Sequence, residues 1–297
     1  MKLAAIDIGS NAIRLLIAEM LEVDQKAHIS KLSLVRLPIR LGSDVFLHGK
    51  VSDEKRREFI KGIGVFKSIA EIHGVKGLIA AATSAMRTAS NGDQIVAEVK
   101  KETGIDIQII DGDKEADIIL STFHFLSLED NTPYLYIDVG GGSTEISLLI
   151  NGKAKASHSF KVGTVRMMED IVEGQEWEGM KDWTLDLAQK YAPKFAIGSG
   201  GNINKIIKLC NPGNEMAISW DQINDLKKEM ESVSFKERMV KWDLRSDRAD
   251  VIIPASNIYL SVMKKAGITE IIVPKIGLSD GLIYHLYKEQ KVDNSIS

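Results

Sequence analysis

The sequence predicts a two-lobed α/β protein, and three observations carry that prediction. Ile6-Asp7-Ile8-Gly9-Ser10-Asn11 near the start returns in altered form as Ile137-Asp138-Val139-Gly140-Gly141-Gly142-Ser143-Thr144-Glu145. Each copy is followed at once by another apolar, β-prone run, at 13–17 and at 146–150. Strand-like and helix-like patterns then alternate on both sides of Asn131-Thr132-Pro133, a run that breaks the chain. A chain of 297 residues can hold two domains with separate cores. The boundary falls between 1–130 and 131–297, with the last helix, about 279–290, able to pack back on the first domain.

Each copy of the repeat reads as a β-hairpin with a polar tip. Glycines there let the backbone take positive φ and turn consecutive N–H groups into one concavity suited to phosphate oxygens. The nearby Asp offers a hard oxygen to Mg2+. Two such tips across a cleft would grip a phosphate chain and its metal. Other glycine motifs do not fit: a dinucleotide fingerprint needs a helix directly after the glycines, whereas 145–150 continues as a strand and Asn151-Gly152 turns into 153–160. The P-loop string G-x-x-x-x-G-K-[ST] does not occur.

After the first hairpin a third strand is expected near 31–39. Phe59, Ile63, Phe66, Ile69 and Ala70 then recur at helical spacing within 53–73, with Ser52 as N-cap. A strand at 77–82 ends in Thr83-Ser84-Ala85-Met86-Arg87, and a helix over 91–102 is closed by Gly104. A strand at 105–110 and the turn Asp111-Gly112-Asp113 lead into a helix over 114–126. The second half repeats the plan: hairpins over 134–160, helices near 165–172 and 180–191, a strand at 195–197, further helices, a strand at 270–273 and a final helix at 279–287.

Lys and Arg number 38 against 41 Asp and Glu, a formal charge of -3, and no block of like charge suggests DNA, RNA or membrane binding. A polyanion must therefore be held by local cations. The single cysteine, Cys210, excludes an internal disulfide and a cysteine zinc site, and is expected in a buried helix of a protein kept in a reducing cytoplasm. Asp7 interrupts the apolar start before a signal peptide can form, and no apolar run approaches the roughly 20 residues of a membrane helix. The six histidines show no metal-ligand spacing and read as structural; the four tryptophans, between 177 and 242, read as helix packing.

Several ordered blocks together identify a resemblance. They are Ala5 to Asn11 with Arg14, Ala82 to Arg87, Asp111-Gly112 with Glu115-Ala116, Asp138 to Glu145, Gly163-Thr164-Val165-Arg166, Gly198 to Gly201, Arg248-Ala249-Asp250, and Gly277 to Gly281. Nearly end to end, the chain resembles the Ppx/GppA family of exopolyphosphatases and guanosine pentaphosphate phosphatases. The resemblance implies the two-domain actin-like fold (ASKHA, ribonuclease H-like) with an interdomain active-site cleft, hydrolysis of phosphoanhydrides, and a homodimer. It departs from the family pattern at Ala12, where a hydroxyl is common, and at Asp117, where an Arg often follows the Glu-Ala pair. The helical C-terminal extension of longer members is also missing. With few local cations (Arg14, Arg87, Arg166, and Arg40 or Arg248), short polyphosphate or a small nucleotide such as guanosine pentaphosphate is the expected substrate, in preference to long chains.

The resemblance assigns Glu115 the role of activating the attacking water, which hydrolysis of a phosphoanhydride requires. Glu145 is its other essential carboxylate, as water positioner, Mg2+ or Mn2+ ligand, or both. Asp7 and Asp138 end apolar strands, where a charge needs a metal or a ring of N–H groups as partner; they join Glu145 as candidate metal ligands. The expected phosphate-binding set is Gly9, Ser10, Asn11, Arg14, Ser84, Arg87, Gly140, Gly141, Gly142, Ser143, Thr144, Arg166, Gly200 and Gly201. Arg87 stands out, since it closes a segment at the C-terminal end of a strand, where open α/β sheets bind ligands, and its guanidinium matches phosphate at two points. Gly198 to Asn202 ends a strand and opens a helix, which forms an anion or nucleotide site. Two other readings remain: a kinase of the same fold, and a non-catalytic polyphosphate or nucleotide sensor.

Overall fold

A computed structural model describes the chain apart from Gln25, Ser127, Asn211, Pro212, Asn214, Glu215 and Ser297; for His124 and residues 292–296 it describes the backbone alone. The chain forms two compact units, Met1–Phe125 with Gly277–Ser297, and Leu126–Ile276. The first junction lies a few residues ahead of the Asn131-Thr132-Pro133 break. The C-terminal helix belongs to the first unit, not to the second as a division at 130/131 alone would place it.

Along the first unit run β1 (Lys2–Ile8), β2 (Ile13–Val23), β3 (Lys26–Leu37), α1 (Leu41–His48), α2 (Asp53–Ile72), β4 (Leu78–Ala82), α3 (Ser84–Thr88), α4 (Gly92–Thr103), β5 (Ile107–Ile109) and α5 (Gly112–Leu120). Its described strands form one sheet in the order β3-β2-β1-β4-β5. The hairpin β1–β2 is antiparallel, while β4 and β5 join parallel to β1. Both faces of β1 are covered, which is why its sequence is a nearly continuous apolar run broken by Asp7. Ile6, Ile8, Leu15, Ile17, Phe59, Ile63 and Phe66 meet in its core. Ser52 caps α2 by accepting from the Lys55 N–H, and Gly104 closes α4 at φ 76°.

The second unit holds β6 (Tyr134–Val139), β7 (Thr144–Ile150), β8 (Lys153–Phe160), α6 (Thr164–Met168), α7 (Gly174–Tyr191), β9 (Phe195–Ser199), α8 (Gly201–Cys210), β10 (Ala217–Ser219), α9 (Trp220–Glu231), α10 (Phe235–Lys241), α11 (Ser246–Ala249), α12 (Ile252–Ala266) and β11 (Glu270–Ile272). Its sheet order is β10-β11-β9-β6-β7-β8. Read from the far edge, β8-β7-β6-β9-β11 reproduces β3-β2-β1-β4-β5, with the same two antiparallel and two parallel pairings. The sequence repeat is thus a duplication of the whole sheet. Trp177, Trp183, Trp220 and Trp242 all pack against this unit's core. Cys210 ends α8 only partly buried, and desolvation pushes its thiol up to about 11.

The last helix, α13 (Leu278–Ile296), contacts β1, β2, β4 and α5 of the first unit. The buried Asp280 accepts from the Gly277 N–H at its start and pairs with Lys31 on β3 at 2.7 Å. Farther along, Tyr287 donates to Glu22 on β2 at 3.1 Å.

Several elements depart from the sequence expectation. α5 ends at Leu120, six residues early, because the hydroxyls of Ser121 and Thr122 bond back to the carbonyls of Ile118 and Ile119 and draw the chain out of the helix. α7 begins six residues early and runs through Gly179, its cost offset by burial of Met180, Thr184 and Leu187. α6 stops at Met168, shortly before Asp170 takes a left-handed φ of 54°. Among the described residues no helix is long and apolar enough to cross a membrane.

Candidate active site

In the first unit, register brings the expected residues to one edge. β1, β4 and β5 run parallel with Ile8 beside Ala82 and Ala82 beside Ile109, so their C-terminal ends coincide. Asp7, the tip at 9–12, Ser84 with Arg87, and the start of α5 with Glu115 all lie at that edge, the position where open α/β sheets hold ligands. The tip is closed by the Gly9 N–H donating to the Ala12 carbonyl at 3.2 Å, and Gly42 of α1 donates to the Ser10 carbonyl at 2.8 Å. Asp111 caps α5 through the Lys114 N–H at 2.7 Å, which places Glu115 in the first turn, half-buried. Arg87 donates to the carbonyl of Ile110, the residue just before that cap, at 2.6 Å. Arg87 therefore braces the start of the helix that carries Glu115.

Asp7 is 5% exposed, and its partner is Arg14, directly across the hairpin, at 2.7 Å. In the second unit the equivalent cross-strand pair is Asp138 and Glu145. The duplication thus puts an arginine opposite the first aspartate and a second carboxylate opposite the other. Like charges facing each other across a ladder repel, and a cation relieves that repulsion. Glu145, 4% exposed, accepts from the hydroxyls of Ser143 at 2.7 Å and Ser159 at 2.8 Å. Asp138 accepts from the Tyr136 hydroxyl at 3.3 Å, and Tyr136 is linked to the Ser199 hydroxyl at 2.7 Å. The Tyr259 hydroxyl donates to the Ser199 carbonyl at 2.8 Å. Burial first, then the negative charges of Asp138 and Glu145, push this phenol well above its ordinary range, so it remains a donor.

The second tip is a piece of tightly packed backbone. Gly140 N–H donates to Ser143, while the N–H groups of Thr164 and Val165, opening α6, donate to the carbonyls of Gly140 and Gly141 at 3.0 and 2.8 Å. Arg166 adds a bond from Nε to the Gly142 carbonyl at 2.8 Å. Burial lowers its guanidinium from the ordinary value, opposed by Glu176 and Glu173. The expectation that the tip glycines take positive φ is corrected: Gly9, Gly140, Gly141 and Gly142 are not among the glycines with left-handed backbone. At the second tip, close approach is what requires glycine. A Cβ on Gly163 would stand 2.5 Å from the Gly142 carbonyl carbon and 2.6 Å from that of Gly141.

Gly200 does take a positive φ, 93°, and a Cβ there would lie 2.7 Å from Asp138 Oδ1. The loop that leads into Gly201 and α8 thus lies against the Asp138 carboxylate, since Asp138 and Ser199 are neighbours on β6 and β9. Two hydroxyls of the expected phosphate set have other duties. Thr144 is fully buried with its hydroxyl on the Val162 carbonyl at 2.6 Å, and the Ser143 hydroxyl serves Glu145. Sequence reasoning missed Gly42, Tyr136, Ser159, Gly163 as a packing surface, and Tyr259. Only Gly163 carried a local signal, through its place in the Gly163-Thr164-Val165-Arg166 block.

Among the described residues no three His, Cys, Asp or Glu side chains stand together as a closed metal cage. Mg2+ does not need one, since it commonly takes one or two carboxylates and fills its shell with water and substrate phosphate. The hard-oxygen pair Asp138 and Glu145 fits that demand.

The duplicated sheet, with an acidic residue and a glycine tip at equivalent strand ends, defines an α/β protein of actin-like fold built from two units. The model of the Ppx/GppA phosphatase family matches residues 21–290. The chain belongs to that family of phosphatases. Exopolyphosphatase 1 of Mycobacterium tuberculosis is 23% identical over 95% of this chain and 87% of its own length. The guanosine-5'-triphosphate,3'-diphosphate pyrophosphatase of Vibrio vulnificus is 22% identical over 98% of this chain and 60% of its own length. The solved structure of an exopolyphosphatase from Cytophaga hutchinsonii superposes with a TM-score of 0.84 at 22% identity, covering 97% of this chain and 98% of that one.

Gly163→Ala is expected to push the second tip off α6, at a cost of about 1–3 kcal/mol in stability and with loss of activity. Thermal melting and phosphate release measure both; a variant that melts and turns over like the wild type contradicts the packing account.

Proposed function

We propose that this protein releases terminal orthophosphate from inorganic polyphosphate or from a guanosine pentaphosphate nucleotide, with short polyphosphate favoured over long chains. The observation that carries this reading is the arrangement at the strand ends. One unit sets Glu115 on a helix start at the same sheet edge as the tip that follows Asp7, and the other sets Asp138 and Glu145 beside a second tip. The names of the family relatives support the substrate class.

In this reading Glu115 accepts a proton from water as its oxygen attacks the terminal phosphorus. The bond from that phosphorus to the bridging oxygen breaks, and the shortened chain departs with the electron pair. Backbone N–H groups at a tip hold phosphate oxygens, which places the attack in line. Asp138 and Glu145, facing each other across β6 and β7, would hold Mg2+ or Mn2+. When bound, that ion supplies charge neutralisation on the phosphate oxygens.

The preference for short chains rests on charge. The protein carries a net -3, and its candidate cations already have internal work: Arg14 on Asp7, Arg87 on Ile110, Arg166 on Gly142 and Arg248 on Asn202. Attraction from elsewhere fades beyond roughly 8 Å at physiological salt. Long polyphosphate is therefore expected to dissociate after few cuts and to show a ladder of intermediates on a gel. Full-length chains persisting beside completely degraded product would mean processive digestion and would reject the preference.

A further inference from the structure

The second carboxylate of the proposed reaction is held by a strand that the reaction otherwise leaves unused. β8 lies outside the repeat motif, yet Ser159 on it stands directly across from Glu145 and donates to Oε1 at 2.8 Å. Ser143 donates to the same oxygen at 2.7 Å. Two residues back on the same face of β8, Ser157 meets Ser147 hydroxyl to hydroxyl at 2.9 Å, so this face offers hydroxyls to β7 twice in succession. The two donors to Glu145 differ in kind. Ser143 belongs to the glycine tip, whereas Ser159 sits on β8, opposite Glu145 in the β7–β8 ladder.

A carboxylate this deeply buried must be hydrogen-bonded to stay ionised. It must also keep one rotamer if it is to meet a metal or a water at the same point in every turnover. A serine hydroxyl has a single proton to donate, and Ser159 directs it at Glu145.

We propose that Ser159 is a positioning residue for the phosphohydrolase reaction, orienting Glu145 from β8. The inference rests on the proposed function, and its test separates the two. Partners that orient a reactive carboxylate typically contribute 10–100-fold. Ser159→Ala is expected to lower kcat for phosphate release from short polyphosphate by roughly that factor, with KM changed by less than about twofold. Ser159→Thr, which keeps the hydroxyl, is expected to restore most of the rate.

The decisive comparison is Glu145→Gln against Glu145→Gln/Ser159→Ala, measured in single turnover at high enzyme concentration. If Ser159 acts through Glu145, the second substitution changes the rate of the first by less than about twofold. Multiplying effects, an alanine variant with wild-type kcat, or a raised KM at unchanged kcat each overturn the inference while leaving the proposed function intact. Wild-type protein that releases no phosphate, or full activity in Glu145→Gln, overturns the reading on which the inference stands and the inference with it.

Discussion

Glu115→Gln is expected to lower turnover by on the order of 10²- to 10⁴-fold, the usual loss when a general base is removed, while substrate affinity stays near wild type. The amide keeps the size and position of the side chain in the first turn of α5, and the cap of that helix is made by Asp111, not by Glu115. What the amide cannot do is take a proton from water. Equilibrium binding of short polyphosphate, measured beside single-turnover rates, separates the two effects. A glutamine variant that turns over like the wild type would reject the assignment and move the role of water activation to Glu145.

Asp138→Asn is expected to raise the Mg2+ concentration needed for half-maximal activity by roughly tenfold or more, because a neutral amide is a poorer ligand for a hard dication. Binding followed without turnover gives an independent reading: a Mn2+ titration monitored by electron paramagnetic resonance should show weaker uptake by the variant. Asp7→Asn should act differently. Asp7 is already matched by Arg14 at 2.7 Å, so its replacement releases a guanidinium beside the first tip as well as altering a candidate metal ligand. Unchanged metal dependence in both variants would remove these residues from the metal site.

The parts of the fold that were legible in the sequence are those where a local pattern and the final environment agree. β1 and β6 are apolar runs ended by Asp and glycine, and both became the central hairpin strand of a sheet. α2 shows helical spacing, a serine cap and a buried stripe including Phe59, Ile63 and Phe66, all read before folding. Boundaries failed where side chains compete with the backbone, as Ser121 and Thr122 do at the end of α5, or where tertiary burial overrides a poor helix former, as at Gly179 in α7. α1 was not anticipated, because it starts from a left-handed Arg40 with no side-chain cap.

The candidate site divides in the same way. Asp7 and Asp138 stand out as charges that end apolar strands beside glycine turns, whereas Glu115 and Glu145 are singled out by the family resemblance. Their supporting partners do not stand out. Ser159 meets Glu145 only through the β7–β8 register, and Tyr136 reaches Asp138 along its own strand while bonded to Ser199 on the next one. Gly163 looks like an ordinary loop glycine until the tip backbone packs against it. Contacts of this kind depend on register and close approach, which one-dimensional spacing does not encode.

The most direct measurement is phosphate release by the purified full chain with Mg2+ and no acceptor molecule, on short and long polyphosphate, a guanosine pentaphosphate nucleotide and ordinary nucleoside triphosphates. The account predicts free orthophosphate from polyphosphate or from the pentaphosphate nucleotide, at a rate that collapses in Glu115→Gln. Transfer that occurs only when an acceptor is added, or tight binding with no release from any of these substrates, would contradict it.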